Sequence, residues 1–356
     1  MPISTEIINF KTTNGTRVFR LPLEAFPNFQ VFAYLVDHKD GLFLIDSGSG
    51  SDLSNQGLAH GFEQVSDKRG TRIEIKDLSE ILLTHGHIDH MGGLVFLKER
   101  SQARIGVHEL DFQTIARHEE RLALMNMNIE HFLVNAGIES EEREGMLQLY
   151  RFTKAFFHSV PVDFTFEQSS MEKGPFSIVH LPGHCPGQVA FRLEDLVFSG
   201  DHILSETTTH QSPESLMPYL GLGHYLDSVE KFNYWAGGSR LILAGHGQPI
   251  SNLRERSAFI LNSIRSRLKQ CLAFLDEPHC MHEVSRNLYG EIKGYNALLV
   301  LEKTGAYIEF LYQHGMLEIT NVDELETSNQ AVIRYRRSTD KADLVFSQKE
   351  RTYVFI

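Results

Sequence analysis

Short apolar runs separated by turn residues dominate the first hundred positions of the chain. Val31 to Val36 and Leu42 to Ile45 read as strands, and the second runs directly into Asp46-Ser47-Gly48-Ser49-Gly50, a turn-rich stop. After a polar stretch of helical character, Ile81-Leu82-Leu83-Thr84 forms an apolar run too brief for a helix, and histidines follow at once. This pattern predicts a strand ending in a histidine-rich loop, the place where open α/β sheets commonly hold their chemistry. From His108 to Ser159 the period becomes helical. Ile115, Leu122, Met125, Ile129 and Phe132 recur on one face, Gly137 interrupts, and Met146, Leu149, Tyr150, Phe156 and Phe157 continue. A helical hairpin inserted over 108–159 is expected, with Met127 and Tyr150 in an apolar wall for substrate.

Strands resume with Phe176 to His180, Val189 to Phe191, Leu196 to Phe198 and Leu241 to Ala244, each ending near a His or Asp. Beyond Ser251 the spacing of Ile260, Ile264, Leu268, Cys271 and Leu275 predicts an amphipathic helix. Met281, Val284 and Leu288 mark a shorter one, and Leu298, Leu301, Ile308 and Leu311 a third that Gly315 can end. Two strand-like runs, Met316 to Thr320 and Ala331 to Tyr335, flank a polar loop. Three helices and a β-hairpin predict a winged-helix-like domain over 254–337, followed by a tail, 338–356, with one or two short strands between Asp343 and Ile356.

Composition narrows the class. At 356 residues, 42% of them hydrophobic, the chain can build two domains or one large core with an appendage. No window approaches the ~20 uninterrupted apolar residues of a membrane span. Lys plus Arg number 34 against 46 Asp plus Glu, a net charge of -12 that argues against a general polyanion binder. The opening MPISTEIINF lacks the basic and apolar regions of an export signal. Three cysteines, Cys185, Cys271 and Cys280, make no disulfide framework, so the cytoplasm is the expected location. Eighteen histidines are an excess that directs attention to metal-ligand spacing.

Thr84-His85-Gly86-His87-Ile88-Asp89-His90 places three imidazoles and a carboxylate within six residues, a density with no ordinary packing purpose. Residues two apart in an extended chain point the same way. His85 and His87 can therefore converge on one ion while Asp89 and His90 turn toward a second.

The run Thr84 to Gly93, THGHIDHMGG, resembles the signature of the metallo-β-lactamase-fold hydrolases. Matching segments follow in order: Pro182-Gly183-His184-Cys185-Pro186-Gly187, Phe198-Ser199-Gly200-Asp201 and Ala244-Gly245-His246-Gly247, with Leu44-Ile45-Asp46-Ser47-Gly48 ahead of them. The resemblance spans about residues 15 to 253. It implies an α/β fold, the αββα sandwich of that family, as a catalytic domain over 1–253 bearing the helical insertion and the C-terminal winged-helix-like domain. It further implies that His85, His87 and His184 hold one metal, that Asp89, His90 and His246 hold another, and that Asp201 bridges them. Nitrogen and oxygen ligands without thiolate favour two zinc ions, with manganese or iron also open. Such a pair can share a hydroxide, lower its pKa toward ~7 and polarise the substrate oxygen. Asp89 is then both ligand and catalytic orienter of the hydroxide, while Asp46 orients the histidine loop without touching a metal. Cys185 reads as a small buried thiol, and His180, His202, His210 and His224 as structural histidines.

His246 follows Asp201 by 45 positions, too few for the extra domain of the nucleic-acid-processing β-CASP branch. The chain is more similar to glyoxalase II-like hydrolases and to lactamase-beta-like proteins that append a winged-helix segment. Gly200-Asp201-His202-Ile203-Leu204 and Gly245-His246-Gly247-Gln248-Pro249-Ile250 carry that likeness. The implied function is hydrolysis of a small ester, thioester or lactone. Single-strand endoribonuclease action and a non-catalytic, effector-binding regulatory role are the alternatives. The expected partner is a small acyl substrate, without membrane or specific DNA, and a homodimer is left open. Residues 254–337 hold 11 Lys plus Arg and 11 Asp plus Glu, and the third helix carries Glu302 and Glu309 against Lys303, a poor surface for phosphate.

Overall fold

The computed structural model describes residues 5–155, 157–167 and 171–339, together with the backbone of 344–345 and 354–355; Phe156 and Asp343 lie outside them. Seven strands form the first sheet in chain order: β1 (Ile8–Lys11), β2 (Arg17–Phe26), β3 (Phe29–His38), β4 (Gly41–Ile45), β5 (Glu80–Leu82), β6 (Arg104–His108) and β7 (Phe164–Phe166). Antiparallel pairing joins β1 through β4, and parallel pairing joins β4 through β7. A second sheet comprises β8 (Glu172–Lys173), β9 (Phe176–His180), β10 (Val189–Leu193), β11 (Leu196–Gly200) and β12 (Leu241–Ala244), in spatial order β12-β11-β10-β9-β8.

The period-2 geometry of β3 explains how the sheets stack. Phe32, Tyr34 and Val36 join a core with Phe176, Phe191 and Phe198 of the second sheet, while Val31, Ala33 and Leu35 face a different core with Leu58, Phe62 and Val65. Both faces of β3 are buried, which is why Val31 to Val36 reads as a continuous apolar run without alternation. Leu58, Phe62 and Val65 belong to α1 (Asp52–Arg69), which starts at a Ser51 cap and stops at Gly70, a left-handed residue with φ +72°. On the same outer face lie two short helices, α2 (Ile88–Met91) and α3 (Leu94–Lys98). The connection after β6 enters α4 (Phe112–Ala116), α5 (His118–Ala136) and α6 (Ser140–Lys154). Outside the second sheet runs α7 (Leu222–Trp235), where Ser228 Oγ donates to the Pro182 carbonyl and Lys231 Nζ to that of His180. The layers are thus helix, sheet, sheet, helix. The strands β1 and β2 escape a periodicity reading because Arg17, Arg20, Pro22 and Glu24 interrupt the pattern. Pro22 is tolerated because β1 stops at Ile8 opposite Arg20, leaving β2 paired on one side.

Two compact units divide the chain. The first, Met1–Leu122 with Lys154–Thr209 and Asp227–Ser257, holds both sheets; the second is Ala123–Thr153 with His210–Leu226 and Ala258–Ile356. In the second, α8 (Leu253–Phe274) leads through β13 (His279–Cys280) to α9 (Met281–Tyr289), α10 (Tyr295–Gln313) and β14 (Leu317–Ile319). Then come α11 (Val322–Thr327) and β15 (Arg334–Arg337), with sheet order β13-β15-β14. The polar stretch between the last two strands is partly helical because Asn321 supports its first turn: its side chain meets Glu324 Oε2, and its carbonyl accepts the Glu324 amide. Two residues of β13 are too few for a periodic signal. Beyond these, β16 (Leu344–Val345) pairs with β17 (Val354–Phe355) in the predicted tail.

Met125, Ile129, Phe132, Met146 and Tyr150 are buried as their spacing predicts, whereas Met127 is 67% exposed. Met127 therefore does not share the buried face of α5 with Met125 and Ile129. Gly305 of α10 has no room for a Cβ, which would meet the Phe132 ring at 3.0 Å and the Met281 sulfur at 3.2 Å. Among the described residues no helix is long and apolar enough to cross a membrane.

Candidate metal centre

The carboxyl ends of β4, β5, β11 and β12, with the loop between β9 and β10, deliver the candidate ligands. After β5 the chain bends at Thr84 and Gly86, is extended at His87 (φ -83°, ψ 149°) and turns helical at Ile88. His87 consequently sits on extended backbone just before α2, His85 between bends at Thr84 and Gly86, and Asp89 and His90 on the first turn of α2. Gly92 and Gly93 let that turn press on the loop after β4: a Cβ on either would run into the carbonyls of Ser49 or Ser47. The His90 carbonyl accepts from the Ser47 amide at 2.7 Å and from Ser47 Oγ at 2.8 Å.

Seven predicted residues form two clusters, His85 with His87 and His184, and Asp89 with His90, Asp201 and His246. Within each cluster the donor atoms lie within 4.8 Å of one another. His85 Nε2 is 3.1 Å from His87 Nδ1. His246 Nε2 lies 3.3 Å from both Asp89 Oδ2 and Asp201 Oδ2. Asp201 faces the other cluster as well, its Oδ2 standing 3.9 Å from His184 Nε2. His90 Nε2 and Asp201 Oδ1 are buried in ion-pair contact 3.3 Å apart, and among the described residues neither has a well-directed hydrogen-bond partner. Buried polar atoms left in this condition are costly unless a charge satisfies them. Five imidazoles and two carboxylates, their ligand atoms gathered this closely, fit a pair of divalent cations.

Electrostatics separate the clusters. Burial, then the neighbouring His90, His87 and His184 imidazoles, drive His85 well below its ordinary pKa; burial and His184 do the same to His87. Burial also opposes charge on His246, but Asp201 and Asp89 outweigh it and lift that imidazole to about 10. His90 is raised in the same way by Asp201, Asp89 and Asp46. Against the cost of burial, these imidazoles hold Asp89 and Asp201 below the usual carboxylate range.

Supporting contacts hold three of the rings. Asp46, buried with φ +60°, accepts the Thr84 amide and hydroxyl at 2.8 Å and approaches His90 Nδ1 at 2.9 Å. Thr84 Oγ1 in turn lies 3.0 Å from His85 Nδ1. Asp46 thus orients the histidine loop, as the family resemblance implies. His246 Nδ1 lies 2.6 Å from the Gln30 carbonyl. His202, adjacent to Asp201, is fully buried with its ring edge-on to Phe232 at 5.0 Å, and it belongs to neither cluster. His180 stacks on His108 at 3.9 Å, while His210 pairs with Glu302 and His224 with Glu214.

Sequence reasoning missed Asp111. This buried carboxylate accepts the Gly86 amide on Oδ2 at 2.8 Å and the Gly187 amide on Oδ1 at 2.9 Å, with the buried Cys185 thiol 3.3 Å away. Its one sequence signal is its position just past the end of β6, the strand beside β5; nothing in its spacing links it to either histidine segment.

Residues 27–273 match the model of the metallo-beta-lactamase superfamily. The chain belongs to the metallo-beta-lactamase superfamily. It is 22% identical over 311 residues to YqjP of Bacillus subtilis, named a probable metallo-hydrolase, an alignment covering 84% of this chain and 93% of that protein. It is 32% identical over 138 residues to the hydroxyacylglutathione hydrolase GloC of Haemophilus influenzae, covering 36% of this chain and 53% of that one. A solved metallo-beta-lactamase family protein from Thermus thermophilus shares the superfamily fold, with a TM-score of 0.72 at 23% identity over 90% of this chain and 98% of that one.

Proposed function

We propose that this metallo-hydrolase of the metallo-beta-lactamase superfamily cleaves a small ester, thioester or lactone at two divalent ions, zinc before manganese or iron. Asp201 carries the reading, because one carboxylate faces His246 and His184 and so reaches both clusters. In this assignment His85, His87 and His184 would hold one ion and Asp89, His90 and His246 the other, with Asp201 available to both. When bound, such ions supply a nucleophilic water of lowered pKa and a Lewis acid for the substrate oxygen. Asp89, with its Oδ2 3.3 Å from His246 Nε2, would hold the second ion and offer a carboxylate oxygen that can accept a hydrogen bond from a nucleophilic water and aim it. Asp46 and Thr84 hold His90 and His85 with their Nε2 atoms toward the site. An acyl substrate is further supported by the likeness to GloC, named as a hydroxyacylglutathione hydrolase.

The order helix, strand, helix, helix, hairpin after Leu253 supports a winged-helix-like reading of the C-terminal residues, without a DNA-reading role. Glu302 of α10 receives Ser212 Oγ and lies 3.0 Å from His210 Nε2, and Glu309 accepts the amides of Glu214 and Ser215. Burial lowers the Lys303 ammonium to about 8. The polar groups of α10 are thus engaged within their own unit. A cytoplasmic location is supported by three cysteines that are all free and buried.

Protein purified without chelator is expected to carry about two metal equivalents and to turn over members of an acyl-CoA, glutathione-thioester or lactone panel. Cleavage of single-stranded RNA with no acyl turnover overturns the proposal.

A further inference from the structure

Asp111 touches neither cluster, yet it joins the two loops that build one of them. Gly86 lies between His85 and His87, and Gly187 lies three residues beyond His184; each gives its amide to a different Asp111 oxygen. Both loops approach Asp111 closely. A Cβ on Gly187 would stand 2.5 Å from Asp111 Cγ, an approach only glycine permits, and one on Gly86 would be tight at 3.3 Å from the same atom. Asp111 is also anchored in place, following directly on β6 with a short helical turn from Glu109 to Asp111. Asp46, by contrast, reaches both clusters, His90 directly and His85 through Thr84.

We infer that Asp111 is a positioning residue dedicated to one ion: by clamping the Gly86 and Gly187 amides it sets the spacing of His85, His87 and His184 and governs the three-imidazole site alone. This inference rests on reading the two clusters as metal sites. The charge matters because both oxygens must accept. In Asp111→Asn the amide group has one acceptor oxygen, so whichever way it is turned its NH2 meets one of the two backbone N–H groups. That loop is pushed off, and its histidine moves with it. Changes to groups that orient metal ligands typically weaken binding by about 10–100-fold.

The experiment titrates zinc into metal-free wild type, Asp111→Asn and Cys185→Ala against a competing chelator, and counts imidazoles on the bound ion by X-ray absorption. Wild type is expected to take two equivalents. Asp111→Asn is expected to lose affinity for one equivalent by about 10–100-fold and to keep the other within about threefold, with two imidazoles and carboxylate oxygens on the retained ion. Cys185→Ala removes the thiol and leaves both amide bonds, so it keeps two equivalents. A wild type that binds fewer than two equivalents refutes the dinuclear reading itself. Two equivalents in wild type with unchanged or equally weakened sites in Asp111→Asn refutes the dedicated role alone. Should Asp111→Asn fail to fold, amide exchange in metal-free wild type still decides. The Gly86 and Gly187 amides are expected to exchange at least about 100-fold more slowly than unprotected amides, and fast exchange at either removes the clamp.

Discussion

Gly245 offers the sharpest test of how tightly the centre is built. A Cβ there would overlap Asp201 Oδ1 and come within 2.5 Å of His90 Cε1, one residue before His246. Carbon contacts begin near ~3.5 Å, so Gly245→Ala demands a displacement of about 1 Å. The backbone cannot supply it cheaply. The Gly245 amide donates to the Gly200 carbonyl and its own carbonyl accepts from the Phe32 amide, each at 2.8 Å. His90 is fully buried and held 2.9 Å from Asp46, and the Asp201 carbonyl accepts Thr209 Oγ1 at 2.8 Å. The shift therefore falls on the ligand side chains. A 1 Å misplacement at a catalytic group can cost about 100-fold in rate, which is about 2.7 kcal/mol, while overpacking costs about 1–3 kcal/mol of stability. Turnover of a small acyl thioester, followed by thiol release, is expected to drop at least about 100-fold, with metal content falling below two equivalents. Gly145→Ala on α6 is the matched control, because nothing lies within 4 Å of its added Cβ; it is expected to gain up to about 1 kcal/mol in urea unfolding with unchanged turnover. A Gly245→Ala protein with turnover within threefold of wild type and full metal content refutes the reasoning.

Asp201→Ala is expected to weaken both metal equivalents in a chelator titration, since its carboxylate faces His184 as well as His246, while His202→Ala keeps both; loss of one equivalent only in Asp201→Ala contradicts a shared role. Burial, with His180 and Lys231 nearby, pushes the His108 imidazole down to about 3. The folded state keeps it neutral where the unfolded chain takes up a proton below pH ~6.5, so stability is present above that pH and falls as pH drops toward 3. Between pH 6.5 and 5 the loss is about 2 kcal/mol, and His108→Phe is expected to flatten that part of the urea-unfolding profile. Duplex DNA titrated at low and moderate salt is expected to show no submicromolar binding; tight binding that weakens steeply with salt defeats the assignment made for α10.

While His184, Asp201 and His246 came from the family resemblance, the sequence alone determined the strands with apolar runs, the helices with a clean period and the crowded segment His85 to His90. These are local properties: β9 and β12 begin and end where their apolar runs do, and His85, His87, Asp89 and His90 crowd one segment. Strands such as β2 stayed hidden because charged residues and Pro22 obey tertiary pairing rather than alternation. The solvent-facing position of Met127 was equally hidden, since helical spacing tells which residues share a face but not how far burial extends around it. Asp111 needed the fold most. A carboxylate 25 residues from Gly86 and 76 from Gly187 becomes their common acceptor only when β6 lies beside β5 and the two loops meet over its end. Only the tertiary structure decides which distant donors a buried charge will find, because hydrogen bonding depends on angstrom distances that sequence separation does not encode.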